Sequence, residues 1–178
     1  MNIWIYGGCI LDSILNLRSK DHDIIIECKN KEEIKKLKQT LEEKFDFDKN
    51  SFGGYKIYFK EEIIDIDFVL NLKNDYSKFI EINSDGFFYN LSNPKESIIT
   101  DGFLEYIESG NVYIVNKESI HPNKLNRREE RINNAINKYK RIGRTINDIG
   151  TIVHPHATRN ETKLYLTPYK KLNLKWIT

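Results

Sequence analysis

The spacing of apolar positions changes period several times along this chain, and each change marks an element. Ile3-Trp4-Ile5-Tyr6 is a short β-prone run that stops at Gly7-Gly8, which predicts a strand entering a tight turn. Residues 9–17 follow with Ile10, Leu11, Ile14 and Leu15 on one helical face. Residues 23–28 are apolar and β-branched, a second and buried strand. Asn30 is placed to cap a helix over 31–45, whose stripe is Ile34, Leu37, Leu41 and Phe45. Residues 55–59 and 63–70, separated by a turn at Glu61-Glu62, read as a β-hairpin. Residues 76–116 mix apolar runs with turn signals at Asn83-Ser84-Asp85-Gly86, Asn93-Pro94 and Ser109-Gly110-Asn111, and Val112 to Val115 reads as a further strand. Residues 126–142 form an amphipathic pattern with Ile132, Ala135, Ile136 and Tyr139 on the apolar face, ending at Gly143. The tail, with His154-Pro155-His156 and Thr167-Pro168-Tyr169, has no period and reads as loop-rich.

Charge divides this pattern in two. Residues 1–116 carry 14 Lys/Arg against 21 Asp/Glu, whereas residues 117–178 carry 14 against 5, although the whole chain is only +2. The reading is an acidic domain over 1–116 followed by a basic helical segment and tail over 117–178. Such a front half suits bound metal cations and such a back half a polyanionic partner, while two solvated faces would give the same counts. With 178 residues and 39% apolar content the chain can bury a real core. Cys9 and Cys28 lack zinc-like spacing, no stretch reaches membrane-spanning length, and the N-terminus lacks a basic, apolar leader. A cytoplasmic setting without a membrane partner is the expectation.

The chemistry gathers around two short acidic motifs. Asp21-His22-Asp23 puts carboxylates at i and i+2, so both face one side of a strand. Asp65-Ile66-Asp67 repeats this inside the second hairpin strand, with the neighbours Ile64 and Phe68 on the other side. Acids within apolar strands are costly unless paired or bound to a cation. Neighbouring strands holding both pairs around divalent metal explain them together. Mg²⁺ or Mn²⁺ prefers carboxylate and phosphate oxygens, and two such ions activate an attacking hydroxyl and neutralise a leaving pyrophosphate. Gly7-Gly8 lets the backbone approach a triphosphate at the start of a helix.

These residues, in this order, resemble a known family. "IYGGCILDSILNLRSKDHDIII" is similar to the head of class II tRNA nucleotidyltransferases (CCA-adding enzymes) and bacterial poly(A) polymerases, with Gly7, Gly8, Asp12, Asp21 and Asp23 on its signature. "FGGYKIYFKEEIIDIDFVL" is similar to the hairpin that follows. The resemblance implies an α+β fold of the DNA polymerase beta-like nucleotidyltransferase type, a mixed sheet with flanking helices. It implies metal on Asp21, Asp23 and a third carboxylate, Asp67 or Asp65, which helps deprotonate the attacking hydroxyl. Gly7, Gly8 and Asp12 would bind the nucleotide. Leu11 stands where the family has arginine, the segment near Asn83-Ser84-Asp85 lacks the family's two arginines, and its base-selecting Glu-Asp-x-x-Arg element has no counterpart.

Other candidates rest on single features. Lys56 on the hairpin can reach a phosphate. Arg127, Arg128, Arg131 and Arg141 on the basic helix can track an RNA backbone, tRNA-like in the family's terms. Tyr139 falls at core spacing, His22 points away from the acids, and Cys9 reads as packing. The leading expectation is transfer of a nucleoside monophosphate from an NTP to an RNA 3′ end. The alternatives are a protein or small-molecule hydroxyl acceptor, or a nucleotide- or RNA-binding module without turnover.

Overall fold

The computed structural model describes residues 1–14, 17–19, 21–50, 52–115, 125–141 and 164–166, with the backbone alone at 125–127 and 164–166. The elements run β1 (Asn2–Tyr6), α1 (Gly8–Ile14), β2 (Asp21–Glu27), α2 (Lys31–Lys44), β3 (Phe47–Lys49), β4 (Tyr55–Phe59), β5 (Glu62–Val69) and α3 (Leu72–Asp75). After two short 3₁₀ turns come β6 (Phe87–Asn90), a third such turn, β7 (Ile98–Thr100), α4 (Asp101–Ser109), α5 (Leu125–Arg141) and β8 (Leu164–Leu166). The strands make one mixed sheet in the order β3-β4-β5-β2-β1-β6-β7-β8. Its only parallel pair among the described strands is β2 with β5; every other neighbour is antiparallel. The α+β class and mixed sheet expected from the sequence are the ones observed.

Strand parity gives the sheet two different faces. Ile24 and Ile26 of β2 face the same way as Ile64, Ile66 and Phe68 of β5, and with Tyr55, Ile57 and Leu41 they form one apolar cluster under α2. Asn30 caps α2 as the sequence indicates, its side chain accepting from the Glu33 amide at 2.9 Å. A larger cluster joins α1 (Ile10, Leu11), α4 (Phe103, Tyr106) and α5 (Ile132, Ala135, Tyr139) to Phe87, Tyr89 and Ile99. The basic helix therefore helps to build the core of the preceding residues. Two hydroxyl contacts tie it down: Tyr106 donates to the Ala135 carbonyl at 2.7 Å, and Tyr139 to that of Glu108 at 3.4 Å.

The opposite face is split. At one end Trp4, Tyr6, Ile25, Val69 and Phe88 pack against Leu72, Ile80, Tyr113 and Val115. At the other end the same face carries Asp21 and Asp23 on β2 and Asp65 and Asp67 on β5. The core thus stops where the acids begin.

Two readings need correction. Val112 to Val115 is not a ladder strand; Ile114 makes one isolated antiparallel bridge with Ile82. Residues 164–166, read as loop, pair with β7. Within the mixed stretch 76–116, residues 101–109 form α4, capped by Thr100, whose hydroxyl accepts from the Phe103 amide at 3.2 Å. The domain boundary placed at 116–117, the stop at Gly143 and the His154-x-His156 pair lie outside the described residues. No described helix is long and apolar enough to cross a membrane.

Candidate active site

The centre of the site is a register relationship. On the parallel β2–β5 ladder Asp23 is the partner of Asp65, and Ile25 is the partner of Asp67. On the other side of β2, Tyr6 of β1 is the partner of Asp23. The four acids share a face, but they do not share an environment. Asp21 is exposed at the start of β2, Asp23 and Asp65 are half-buried, and Asp67 is buried. The register sets Asp65 beside Asp23, and it sets Asp67 one step deeper, at the edge of the core.

Burial pushes the Asp23 carboxyl up to about 7, with the Asp65 charge the next cause and the Arg131 guanidinium pulling the other way. Burial also raises Asp67 to about 6, opposed by a hydrogen bond from Asn50. Tyr6 is held protonated far above its ordinary range, first by burial and then by Asp23, Asp67 and Asp65. Cys9, pushed up to about 12 mainly by burial, gives its thiol proton to the Tyr6 carbonyl at 3.0 Å and is a packing residue.

The Gly7 turn lies against these acids. Gly7 has a φ of +74°, and a Cβ there would sit 3.0 Å from Asp23 Oδ2. Both facts call for glycine: the backbone is left-handed, and a carboxylate passes directly over it. The helix that follows, α1, is only seven residues long. Its Asp12 meets Lys138 of α5 at 2.6 Å, and the same ammonium donates to the Gly8 carbonyl at 3.3 Å. Lys138 was not among the residues the sequence singled out. Its position at a helical spacing from Arg131 is visible in the chain, but its contact with Gly8, 130 residues away, is not.

The basic helix turns more of its charge inward than its pattern implies. Arg128 is only 3% exposed, and its Nε lies 3.5 Å from Glu81 Oε1. Arg131 binds Glu81 at 2.8 Å and Asp85 at 2.7 Å. Arg128 is therefore corrected from a solvent-facing RNA contact to a buried ion-pair partner, because Glu81 and Asp85 are themselves buried and need cations. Arg141 is exposed at the end of α5, and the Arg127 side chain lies outside the described residues. Lys56, read as a phosphate contact, lies 3.6 Å from Asp65 Oδ2. His22 turns from the acids to Glu62, at 3.5 Å.

Asn50 is the other residue the sequence did not reveal. Its Nδ2 donates at 2.8 Å to Asp65 Oδ1 and at 2.8 Å to Asp67 Oδ1. It lies in the turn between β3 and β4, within a polar stretch with no periodicity, so only the folded sheet brings it to the acids.

Whether these residues suit divalent metal can be tested on their charge and donors. Among the described residues no group of three His, Cys, Asp or Glu side chains converges tightly enough to enclose an ion. The donor set is nevertheless all carboxylate oxygen, the type that Mg²⁺ or Mn²⁺ takes, and four acids share this face while, among the described residues, Lys56 is paired with one of them. Donor chemistry and charge fit such an ion.

Comparison with known proteins places this arrangement. The chain matches the family model described as the poly A polymerase head domain over residues 3–93, just over half its length. A CCA-adding enzyme solved with ATP superposes with a TM-score of 0.53 at 18% identity, over 83% of this chain and 36% of that one. A Thermotoga maritima CCA-adding enzyme complexed with tRNA gives 0.51 at 20% identity, over 81% and 40%. A CCA-adding enzyme with CTP gives 0.51 at 21% identity, over 83% and 35%. This chain thus spans at most two fifths of these structures, and at such identities the likeness is one of fold. No curated protein matches it. The Gly-Gly turn, the paired acids on β2 and the acidic hairpin strand all lie inside the matched stretch, and the chain belongs to the poly A polymerase head domain family.

Proposed function

We propose that this protein is a nucleotidyltransferase that moves a nucleoside monophosphate from an NTP to a hydroxyl at an RNA 3′ end. The observation that carries the reading is the set of four carboxylates on one face of β2 and β5, with Asp23 opposite Asp65 and the Gly7 turn against Asp23. Asp21, Asp23 and Asp65 would hold Mg²⁺ or Mn²⁺, which when bound neutralises phosphate charge and makes a hydroxyl more acidic. Asp67 stands behind Asp65 as its buried neighbour.

The protein's own groups organise the rest. The bare backbone of the Gly7-Gly8 turn, with Asp23 over Gly7 and Lys138 Nζ beside Gly8, would bring phosphates close to both side chains. Lys138 keeps Asp12 neutralised at the edge of that turn, and Lys56 does the same for Asp65. The Tyr6 ring, stacked on Phe88 with centroids 5.4 Å apart, closes the apolar side of the site against water.

The test is incorporation of labelled NTP into total RNA, run beside a protein-only reaction. Wild type is expected to label RNA in the presence of Mg²⁺, and Asp21→Ala with Asp23→Ala to abolish labelling. Full activity in the double variant overturns the site.

One observation favours a different acceptor. Arg128 and Arg131 are committed to Glu81 and Asp85, so α5 offers less free charge to an RNA backbone than its sequence implies. Label appearing in protein and not in RNA would select a protein hydroxyl as acceptor.

A further inference from the structure

We infer that Asn50 is a positioning residue, fixing the carboxylates of Asp65 and Asp67 in one arrangement beside Asp23 so that a divalent cation meets a preset acidic strand. This rests on the reading of the same face as a nucleotidyltransferase site.

The amide of Asn50 is oriented from two sides. Its Oδ1 accepts from the backbone amides of Phe52 at 3.0 Å and Gly54 at 2.7 Å. Those two donors determine which end is oxygen, so the NH₂ end faces the acids. That end then donates to Asp65 Oδ1 and to Asp67 Oδ1, both at 2.8 Å. The side chain cannot offer its oxygen to a cation without breaking both turn contacts. Its role toward the acids is that of a hydrogen-bond donor.

The turn is shaped around this contact. A Cβ on Gly54 would lie 2.0 Å from the Ile66 carbonyl oxygen, 2.5 Å from Asp67 Oδ1 and 2.9 Å from Asn50 Nδ2. Glycine there allows the turn to press against β5 where the two acids project. The backbone N–H of Asn50 also donates to the Gly54 carbonyl at 3.2 Å, closing the same turn. Closing the turn needs only an oxygen acceptor at position 50. Reaching two carboxylates one strand further in needs an amide donor as well, and asparagine supplies both. With one oxygen of each acid occupied by the amide, the remaining oxygens are held in fixed directions, that of Asp65 beside the Lys56 ammonium at 3.6 Å, where a bound cation would take its place. Partners of this kind, which orient metal-binding carboxylates, typically change metal affinity about 10–100-fold when removed.

Two substitutions separate the turn from the positioning role. Asn50→Ser keeps a short acceptor for the Gly54 amide but cannot span both acids. Asn50→Asp keeps the acceptor for both turn amides and removes the donor. Mn²⁺ binding is read by electron paramagnetic resonance, with and without a non-hydrolysable NTP analogue, and circular dichroism confirms that each variant is folded. Asn50→Ser is expected to weaken Mn²⁺ binding about tenfold or more, and to raise the Mg²⁺ concentration for half-maximal NTP incorporation by a similar factor. Asn50→Asp sets a third carboxyl against Asp65 and Asp67, so it is expected to unfold at a lower temperature than wild type and to lose the wild-type Mn²⁺ titration curve; at pH 5, where a shared proton relieves that repulsion, it gives the comparison with wild type if the serine variant does not fold. Wild-type Mn²⁺ affinity in the folded variants overturns the inference, as does a wild-type protein that binds no Mn²⁺. A wild type that binds Mn²⁺ in an Asn50-dependent way but labels no acceptor overturns the proposed reaction and leaves the positioning role standing.

Discussion

Asp23 and Asp65 face each other across the one parallel strand pair of the described sheet, and the first of them is driven up to about 7, chiefly by burial and then by its partner's charge. An acid raised in the folded state holds a proton that the unfolded chain has already released. Its contribution to stability is therefore complete below about pH 4 and is lost as pH rises to 7. Asp67, raised to about 6, acts in the same direction. The metal-free protein should be more stable at pH 5 than at pH 8 by urea unfolding. Asp23→Asn should stabilise it at pH 8 by roughly 4 kcal/mol, at about 1.4 kcal/mol per pH unit between 4 and 7, and change little at pH 4. A flat wild-type profile between pH 5 and 8 refutes the assignment.

Gly54 makes a purely steric prediction. With Ile66 O only 2.0 Å from the site of an added Cβ, Gly54→Ala must push the turn off β5. The expected loss is on the order of 3 kcal/mol, seen as a lower urea midpoint. Gly53→Ala, where a Cβ meets nothing within 4 Å, tests left-handed backbone strain alone. It should cost less, about 1 kcal/mol.

Glu81 predicts how α5 is held. Its carboxyl is raised by burial, while Arg131 and Arg128 act against that rise. Removing it by Glu81→Leu leaves the buried Arg128 without this counter-charge and should cost about 3–5 kcal/mol. Adding Arg128→Met should recover a large part of that loss, because the pair is then replaced by apolar volume. Thermal unfolding of the single and double variants decides it: no recovery means that Glu81 acts elsewhere.

Lys138 links that helix to the glycine turn. Lys138→Met removes the ion pair to Asp12 and the contact to Gly8 O while keeping the stem that packs along α5. The expected result is a severalfold higher KM for NTP with kcat changed less, since the turn is disordered and the acids are untouched. An unchanged KM would show that the contact only anchors the helix.

Much of this fold was legible because its elements are long or sharply bounded. α2 and α5 carry helical stripes, β1, β2 and the β4–β5 hairpin are β-prone runs ended by turn residues, and Asn30 marks its helix by a side chain that only needs its own neighbours. β6 and β7 were hidden for the opposite reason. Phe87 to Asn90 and Ile98 to Thr100 are buried throughout, so they show no alternation to read. At the site, strand parity alone was enough to place four acids on one face. It could not say that Asp65 and not Asp67 stands beside Asp23, because register between strands is a tertiary property. The same limit hid Asn50 and Lys138, and it made Arg128 look solvent-facing when its partner Glu81 was out of view.

The parallel β2–β5 ladder has a consequence for how the molecule assembles. Its two strands are separated in the chain by α2, β3 and β4, so the acids meet only after a long loop has closed. Contacts of that kind slow folding, since the entropy of closure is spent before the contacts form. Bringing Asp23 to Asp65 adds repulsion to the same step once both are ionised. Refolding after dilution from urea should accordingly run faster at pH 5 than at pH 8, and a divalent cation should close that gap, acting on the nascent sheet before there is a finished site to occupy.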